Sequence, residues 1–187
     1  MKSAVVKPLL KKKSLDPNVL QRFRPVSNLP FESTLIEKLV LGQLFRHLDH
    51  NNLWHTFQSA YRPKHSTETA LLRVLNDLLT ASDSGSISIL TLLGLRAAFD
   101  TIDHSILLVR LESTFGIRDL ALSFFCSYLQ DRTQIVTVNE IKSSPSLLTC
   151  GVPHGSVLGP ILFILYTQPL SDVTSHHSVS HHNYVFG

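Results

Sequence analysis

The sequence predicts an α/β fold, on three observations. Residues 87–95 carry a nearly continuous apolar run of strand length: Ile87, Ile89, Leu90, Leu92, Leu93 and Leu95. Apolar residues at helical spacing fill 31–50 and the stretch after Ser66, before that run, and 104–115 and 119–130 after it. Residues 134–138 alternate as a strand does. The run at 87–95 fits a central strand buried on both faces, and by pattern alone a buried helix fits as well. Ser82, Asp83, Ser84, Gly85 and Ser86 make a turn cluster ahead of it. Gly94 is out of place there, because glycine has nothing to pack in a strand interior.

In chain order, residues 4–10 are short and apolar around Pro8, which predicts an edge strand. Residues 14–18 (SLDPN) read as a turn, and 23–30 (FRPVSNLP) as extended, since residues preceding proline avoid the helical region. In the helix at 31–50, Leu35, Ile36, Leu39, Val40, Leu44 and Leu48 are the predicted core face. Residues 51–62 are irregular. Ser66 is the expected N-cap of the second helix and Glu68 favours its first turn, with Leu71, Leu72, Leu75, Leu78 and Leu79 facing the core. Asp100 or Asp103 is expected to cap the third helix, which Gly116 stops. Residues 147–150 are expected beside the strand at 134–138. The loop at 150–160 (CGVPHGSVLGP) packs three glycines and two prolines into eleven residues before a buried helix from Ile161. Such a loop either places backbone N–H groups against a phosphate or is only a tight turn.

The chain has 187 residues, 43% hydrophobic and 17% charged, enough for one domain with a sizeable core. Two cysteines, Cys126 and Cys150, cannot make a disulfide scaffold, so a reducing compartment is expected. No apolar stretch is long enough to cross a membrane, and no secretory leader is recognised. Charge is uneven. Residues 1–24 balance at +6, through Lys2, Lys7, Lys11, Lys12, Lys13, Arg22 and Arg24 against Asp16 alone, while the remainder balances at −3. A basic leading segment suits phosphate contact or is simply a solvated arm. After Lys142 there is no Lys or Arg, only the acid Asp172.

Four segments occur together in order: FRPVSNLPFESTLIEKLV at 23–40, FQSAYRPKHSTETALL at 57–72, LLGLRAAFDTIDH at 92–104 and CGVPHGSVLGPILFIL at 150–165. Together they resemble the reverse transcriptase domain of non-LTR (LINE-type) retrotransposons. The resemblance runs from about Lys7 to Tyr184. It implies a partial right-hand polymerase of α+β palm type, with residues 1–84 on the fingers side, 85–187 as an antiparallel palm, and no thumb. It implies that Phe99 lies beneath the incoming sugar and rejects a 2′-hydroxyl. It places Gly155 and Ser156 along the template and nucleotide pocket, Arg62 and Lys64 toward the triphosphate, and Lys11, Lys12, Lys13, Arg22 and Arg24 along nucleic acid.

The family's activity is RNA-directed DNA synthesis, with Mg2+ held by carboxylates. One carboxylate is expected six residues before the Asp of the AFD triplet, where this chain has Gly94. Two more are expected in a Tyr-Ala-Asp-Asp turn, where Tyr184 is followed by Val185, Phe186 and Gly187. The glutamine usual before Gly155 is His154. Asp100 lies up to roughly 20 Å from Gly94 in an extended chain and does not replace it. His176, His177, His181 and His182 are an incidental cluster or suit a borderline metal such as zinc, and they do not replace a carboxylate site for magnesium.

The expected protein is therefore an inactive reverse transcriptase fragment with no intact catalytic residue and no metal or cofactor of its own. Weak, non-specific RNA or DNA binding is the expected partnership, with no membrane, an unassigned oligomeric state and an aggregation-prone edge. The cytoplasm or nucleus is the expected location. The alternatives are a non-catalytic nucleic-acid-binding module, or half of a polymerase completed by a longer isoform or a partner chain.

Overall fold

A computed structural model of the protein describes residues 2–94, 98–153, 155–177 and 179–184. The chain forms two compact units, Met1–Asn51 with Ala97–Tyr166, and Asn52–Arg96 with Thr167–Gly187.

The first unit is built on a five-stranded sheet. Strand β1 (Ser3–Leu10) pairs antiparallel with β2 (Phe23–Asn28), Val5 opposite Asn28 and Leu10 opposite Phe23. It also pairs parallel with β3 (Arg132–Val138), Ser3 opposite Thr133 and Val6 opposite Val136. The expected edge strand is thus a central one. Pro8 is tolerated because the β3 ladder ends at Val6, so the missing N–H falls where only β2 lies alongside. Strands β4 (Ile141–Lys142) and β5 (Ser146–Leu148) both join β3 antiparallel. The strands after residue 85, β3, β4 and β5, pair antiparallel, and the whole sheet is mixed because β1 enters it parallel to β3.

Four helices complete this unit: α1 (Phe31–His50), α3 (His104–Ser113), α4 (Asp119–Leu129) and α5 (Gly159–Thr167). Their core holds Leu44, Leu48, Leu107, Leu111, Phe115, Phe125, Leu129, Leu158, Ile161, Leu162 and Leu165, with Ala4 and Val6 from β1. The buried stripe of α1 differs from the predicted one. It runs Ser33, Glu37, Leu44, Leu48, and Leu35, Ile36 and Leu39 are exposed. Residues 33, 37, 44 and 48 share one face at 3.6 residues per turn, and a buried partner for Glu37 rotates the helix toward them.

The second unit contains α2 (Thr67–Asp83) and α6 (Pro169–His176). Ser66 caps α2 in a reciprocal box: its hydroxyl accepts from Thr69 N (3.2 Å), and Thr69 Oγ1 accepts from Ser66 N (2.9 Å). Asn183 fastens residues 179–184 to 57–60, accepting at its carbonyl from Ser59 N and Ala60 N and donating its N–H to Phe57 O. Burial is thin. The predicted core face of α2 is not buried: Ala70 is, whereas Leu71, Leu72, Leu75 and Leu79 are exposed.

The predicted strand at 87–95 is also corrected. Residues 86–94 join no strand, and Ile87 and Ile89 are 95% and 89% exposed. A strand exists only through its ladder, and the sheet is composed of segments from 3–28 and 132–148. Leu95 lies outside the described residues.

Replacing Ser66 by Ala removes one cap bond of the box and is expected to destabilise α2 by about 1 kcal/mol. Urea unfolding followed by far-ultraviolet circular dichroism measures it, and Ser66→Asp should recover most of the loss.

Candidate nucleic-acid and nucleotide site

The basic segment folds into a hairpin. Strands β1 and β2 present Lys11, Lys12 and Lys13 at their connection, all exposed. Asp16 shapes this connection by accepting from Asn18 N at 3.0 Å and lies 3.7 Å from Arg22. Lys11 Nζ donates to Gln21 O at 3.0 Å, which holds its stem along the hairpin. Arg24 is exposed on β2, opposite Leu9. Arg22 is half-buried, so its charge is shared with Asp16 while Lys12, Lys13 and Arg24 face solvent.

The turn at 98–103 and the loop at 150–158 form one piece. Asp103 is the cap of α3: its carboxylate accepts from Ser105 N (2.9 Å), Ile106 N (3.0 Å) and the Ser105 hydroxyl (2.5 Å). The Ser105 bond, then the Ile106 bond, lowers its pKa below the ordinary carboxylate range. Asp103 therefore takes the capping role that the sequence left open between it and Asp100. Across from this turn, Gly151 N donates to Ile102 O (2.7 Å) and Val152 N to Phe99 O (2.8 Å). His104 Nε2 lies 2.7 Å from Gly151 O. A Cβ on Gly151 would meet Phe99 O at 2.7 Å, and its φ of +81° is one that side chains rarely adopt. The Phe99 ring is half-buried and packs edge-on against Phe163, centroids 5.8 Å apart.

Further along the loop, Gly155 is exposed with φ +84° beside Ser27 O of β2. Ser156 is buried, and its hydroxyl accepts from Gly159 N at 3.0 Å. Glu37, 1% exposed, accepts at Oε2 from Val157 N (2.7 Å) and Leu158 N (3.1 Å). Three successive N–H groups at the start of α5 are therefore taken inside the protein. Of the two sequence readings of this loop, the tight turn holds for these N–H groups, since an internal carboxylate occupies the place a phosphate would take. Arg132, 3% exposed, donates from Nη1 to Tyr128 O at 2.8 Å and lies 4.8 Å from the Tyr128 ring centre. Burial first, and the Glu37 charge second, push the Tyr128 phenol well above its usual pKa.

Sequence reasoning missed Glu37. Its available signal was spacing: an acid four residues after Ser33 and seven before Leu44, on the stripe that ends at Leu48.

Arg62, Lys64 and Gly94 belong to the second unit. Arg62 is held by its Nη1 donating to His55 O (3.3 Å) and by Trp54, whose ring centre lies 5.5 Å away. Lys64 is exposed at φ +64°. Of the tail histidines, His182 Nε2 lies 2.9 Å from Asp77 Oδ2, and His181 Nδ1 lies 2.8 Å from Thr174 Oγ1. The His55 ring lies 5.0 Å from that of His181, tilted by 33°, and its pKa is lowered by burial first and by His181 second, against a smaller opposing effect of Asp172.

Among the described residues, the donor set does not fit a magnesium pair. Gly94 supplies no side-chain oxygen, and a Cβ built there meets nothing within 4 Å. Asp103 spends its carboxylate on a helix cap. Among the described residues, no group of three His, Cys, Asp or Glu could hold a metal ion. His154, Phe186 and Gly187 lie outside the described residues.

Residues 10–185 match the family described as reverse transcriptase (RNA-dependent DNA polymerase). The chain is 31% identical over 172 residues to the RNA-directed DNA polymerase from mobile element jockey of Drosophila melanogaster, covering 92% of this chain and 18% of that protein. It is 32% identical over 154 residues to the probable RNA-directed DNA polymerase from transposon X-element of the same species, covering 81% and 17%. The chain thus spans less than a fifth of these relatives' length. Among solved structures, apo telomerase from Candida tropicalis, truncated from the C-terminal domain, superposes with a TM-score of 0.59 at 16% identity. That match covers 94% of this chain and 40% of the other.

Gly151→Ala forces a Cβ against the Phe99 carbonyl in an unfavourable backbone region, and a loss of roughly 2 kcal/mol or more is expected. Gly85→Ala has the same sign of φ but open space around it, so it should cost less. Thermal unfolding of the two variants side by side reads the difference.

Proposed function

The chain belongs to the reverse transcriptase (RNA-dependent DNA polymerase) family, and from that premise we propose that it is a non-LTR retrotransposon polypeptide that binds nucleic acid without extending a primer. The observation that carries this reading is Gly94. It stands six residues before Asp100, where the family resemblance expects a metal-binding carboxylate. Nucleotide addition by two bound metals needs hard oxygen ligands, and a hydrogen atom cannot replace one. In this reading residues 1–84 are the fingers side and 85–187 the palm. The family resemblance assigns Phe99, Gly155 and Ser156 to a nucleotide pocket, and Arg62 and Lys64 to phosphate contact. The binding that remains comes from charge. Lys11, Lys12 and Lys13 stand exposed at the β1–β2 connection, with Arg22 and Arg24 following, which supports contact with a phosphate backbone rather than with base edges.

Purified protein is expected to incorporate no deoxynucleotide on an RNA template with magnesium or manganese, above a matched blank preparation. Gly94→Asp alone should leave that result unchanged. Template-dependent extension by either protein overturns the reading.

Binding to a labelled duplex should weaken steeply with salt. Reversing Lys11, Lys12 and Lys13 to Glu should reduce the slope of log affinity against log salt by roughly 2 to 3, as three lost phosphate contacts require. Reversing the exposed Arg118 and Lys142 should change it less. Equal effects from both sets would remove the hairpin as the binding surface.

A further inference from the structure

We propose that Glu37 is a positioning residue on α1 that sets the backbone of residues 155–158. The inference rests on the reading above in one respect, that Gly155 and Ser156 line the nucleotide pocket. Its geometry stands without that reading. Glu37 lies 120 residues before Val157 in sequence. It emerges from the middle of α1 and is 1% exposed. A carboxylate is not buried without compensation. Here the compensation is two consecutive backbone N–H groups, Val157 at 2.7 Å and Leu158 at 3.1 Å, at the positive end of α5. The Ser33 hydroxyl reaches its other oxygen at 3.4 Å.

The loop has two hydrogen-bonded attachments, to different parts of the first unit. Gly151 and Val152 are hydrogen-bonded to the 98–103 turn. A Cβ added at Gly155 would lie 3.6 Å from Ser27 O of β2, so β2 passes beside the loop. Val157 and Leu158 are held by Glu37. The second attachment comes from α1, which follows β2, the closing strand of the basic hairpin. The segment that carries the lysines and the segment that shapes the loop are therefore one continuous stretch of chain. Without the carboxylate, the N–H groups of Val157 and Leu158 have no acceptor, and Ser156 caps Gly159 alone. The loop is then free to move between its Gly151 attachment and the first turn of α5. Glu37 also fills the positive pole of α5. A ligand at this loop therefore meets its shape at Gly155 rather than the N–H groups of a helix end.

The test compares Glu37→Gln and Glu37→Leu with the unaltered chain. Hydrogen exchange is followed at residues 151–158 and, as an internal reference, along β1 and β3. Leucine should raise exchange at Val157 and Leu158 at least tenfold while β1 and β3 keep their protection. Glutamine, whose carbonyl oxygen can still accept from the same N–H groups, should give an intermediate rise. Affinity for a labelled RNA–DNA primer–template should fall severalfold in the leucine variant with an unchanged salt slope, because no phosphate contact is lost. The charge-reversed hairpin changes the slope instead.

Unchanged exchange at Val157 and Leu158 in both variants overturns the proposal. So does a rise in the glutamine variant spread equally over loop and sheet, since that marks general destabilisation. An exchange rise confined to the loop, with unaltered affinity in both variants, overturns the pocket reading and leaves Glu37 as the organiser of the loop. Absence of any primer–template binding by the unaltered chain defeats the reading under "Proposed function", and the exchange comparison still decides Glu37.

Discussion

The first unit depends on one buried charge. Glu37 joins α1 to the beginning of α5 through two charge-assisted hydrogen bonds, and the Ser33 hydroxyl reaches its other oxygen. The Ser156 hydroxyl takes the next N–H in line, so the first turn of α5 is satisfied without solvent. Tyr128 and Arg132 stand in the same environment, and the Tyr128 phenol responds to the Glu37 charge. A buried carboxylate is expensive, and removing its partners costs more than the pair is worth. The apolar residues of α5, Ile161, Leu162 and Leu165, are buried along the helix that this first turn begins. Polar pairing thus sets orientation, and apolar burial supplies the stabilisation.

Helix boundaries were legible because they are chemical. Ser66, Asp103 and Gly116 each solve a local problem of unpaired backbone groups, and local problems are visible in a sequence. Strands β2 and β3 were legible from proline placement and alternation. Helix faces were not. The apolar residues of α1 cover more than one face, so leucine counting selects 35, 36 and 39 when burial selects 33, 37, 44 and 48. In α2, four leucines at the right spacing remain exposed because the second unit offers little to bury them against. Periodicity shows that a segment can be a helix. Which side is covered depends on what stands opposite, and that is not a local property.

The run at 87–95 shows the same boundary from the side of the sheet. Ile87, Ile89 and Leu93 satisfy every compositional demand of a buried strand, yet pairing makes a strand, and the ladder of β3 is completed by β1, β4 and β5. Within the site, the special glycines and the capping aspartate were readable as turn chemistry. Glu37 was not, because its partners are backbone groups 120 and 121 residues away and carry no side-chain signature.

Shape and chemistry are held by different residues in this chain, and this separates their fates under substitution. Gly151 has no room for a methyl group, and its N–H and carbonyl are both engaged by the 98–104 segment. Replacing Glu37 by a side chain with no acceptor leaves the N–H groups of Val157 and Leu158 without their partner. Gly94 stands in open space, where nothing lies within 4 Å of an added Cβ. A change at Gly94 therefore leaves packing untouched, whereas a change at Gly151 or Glu37 is felt across the loop.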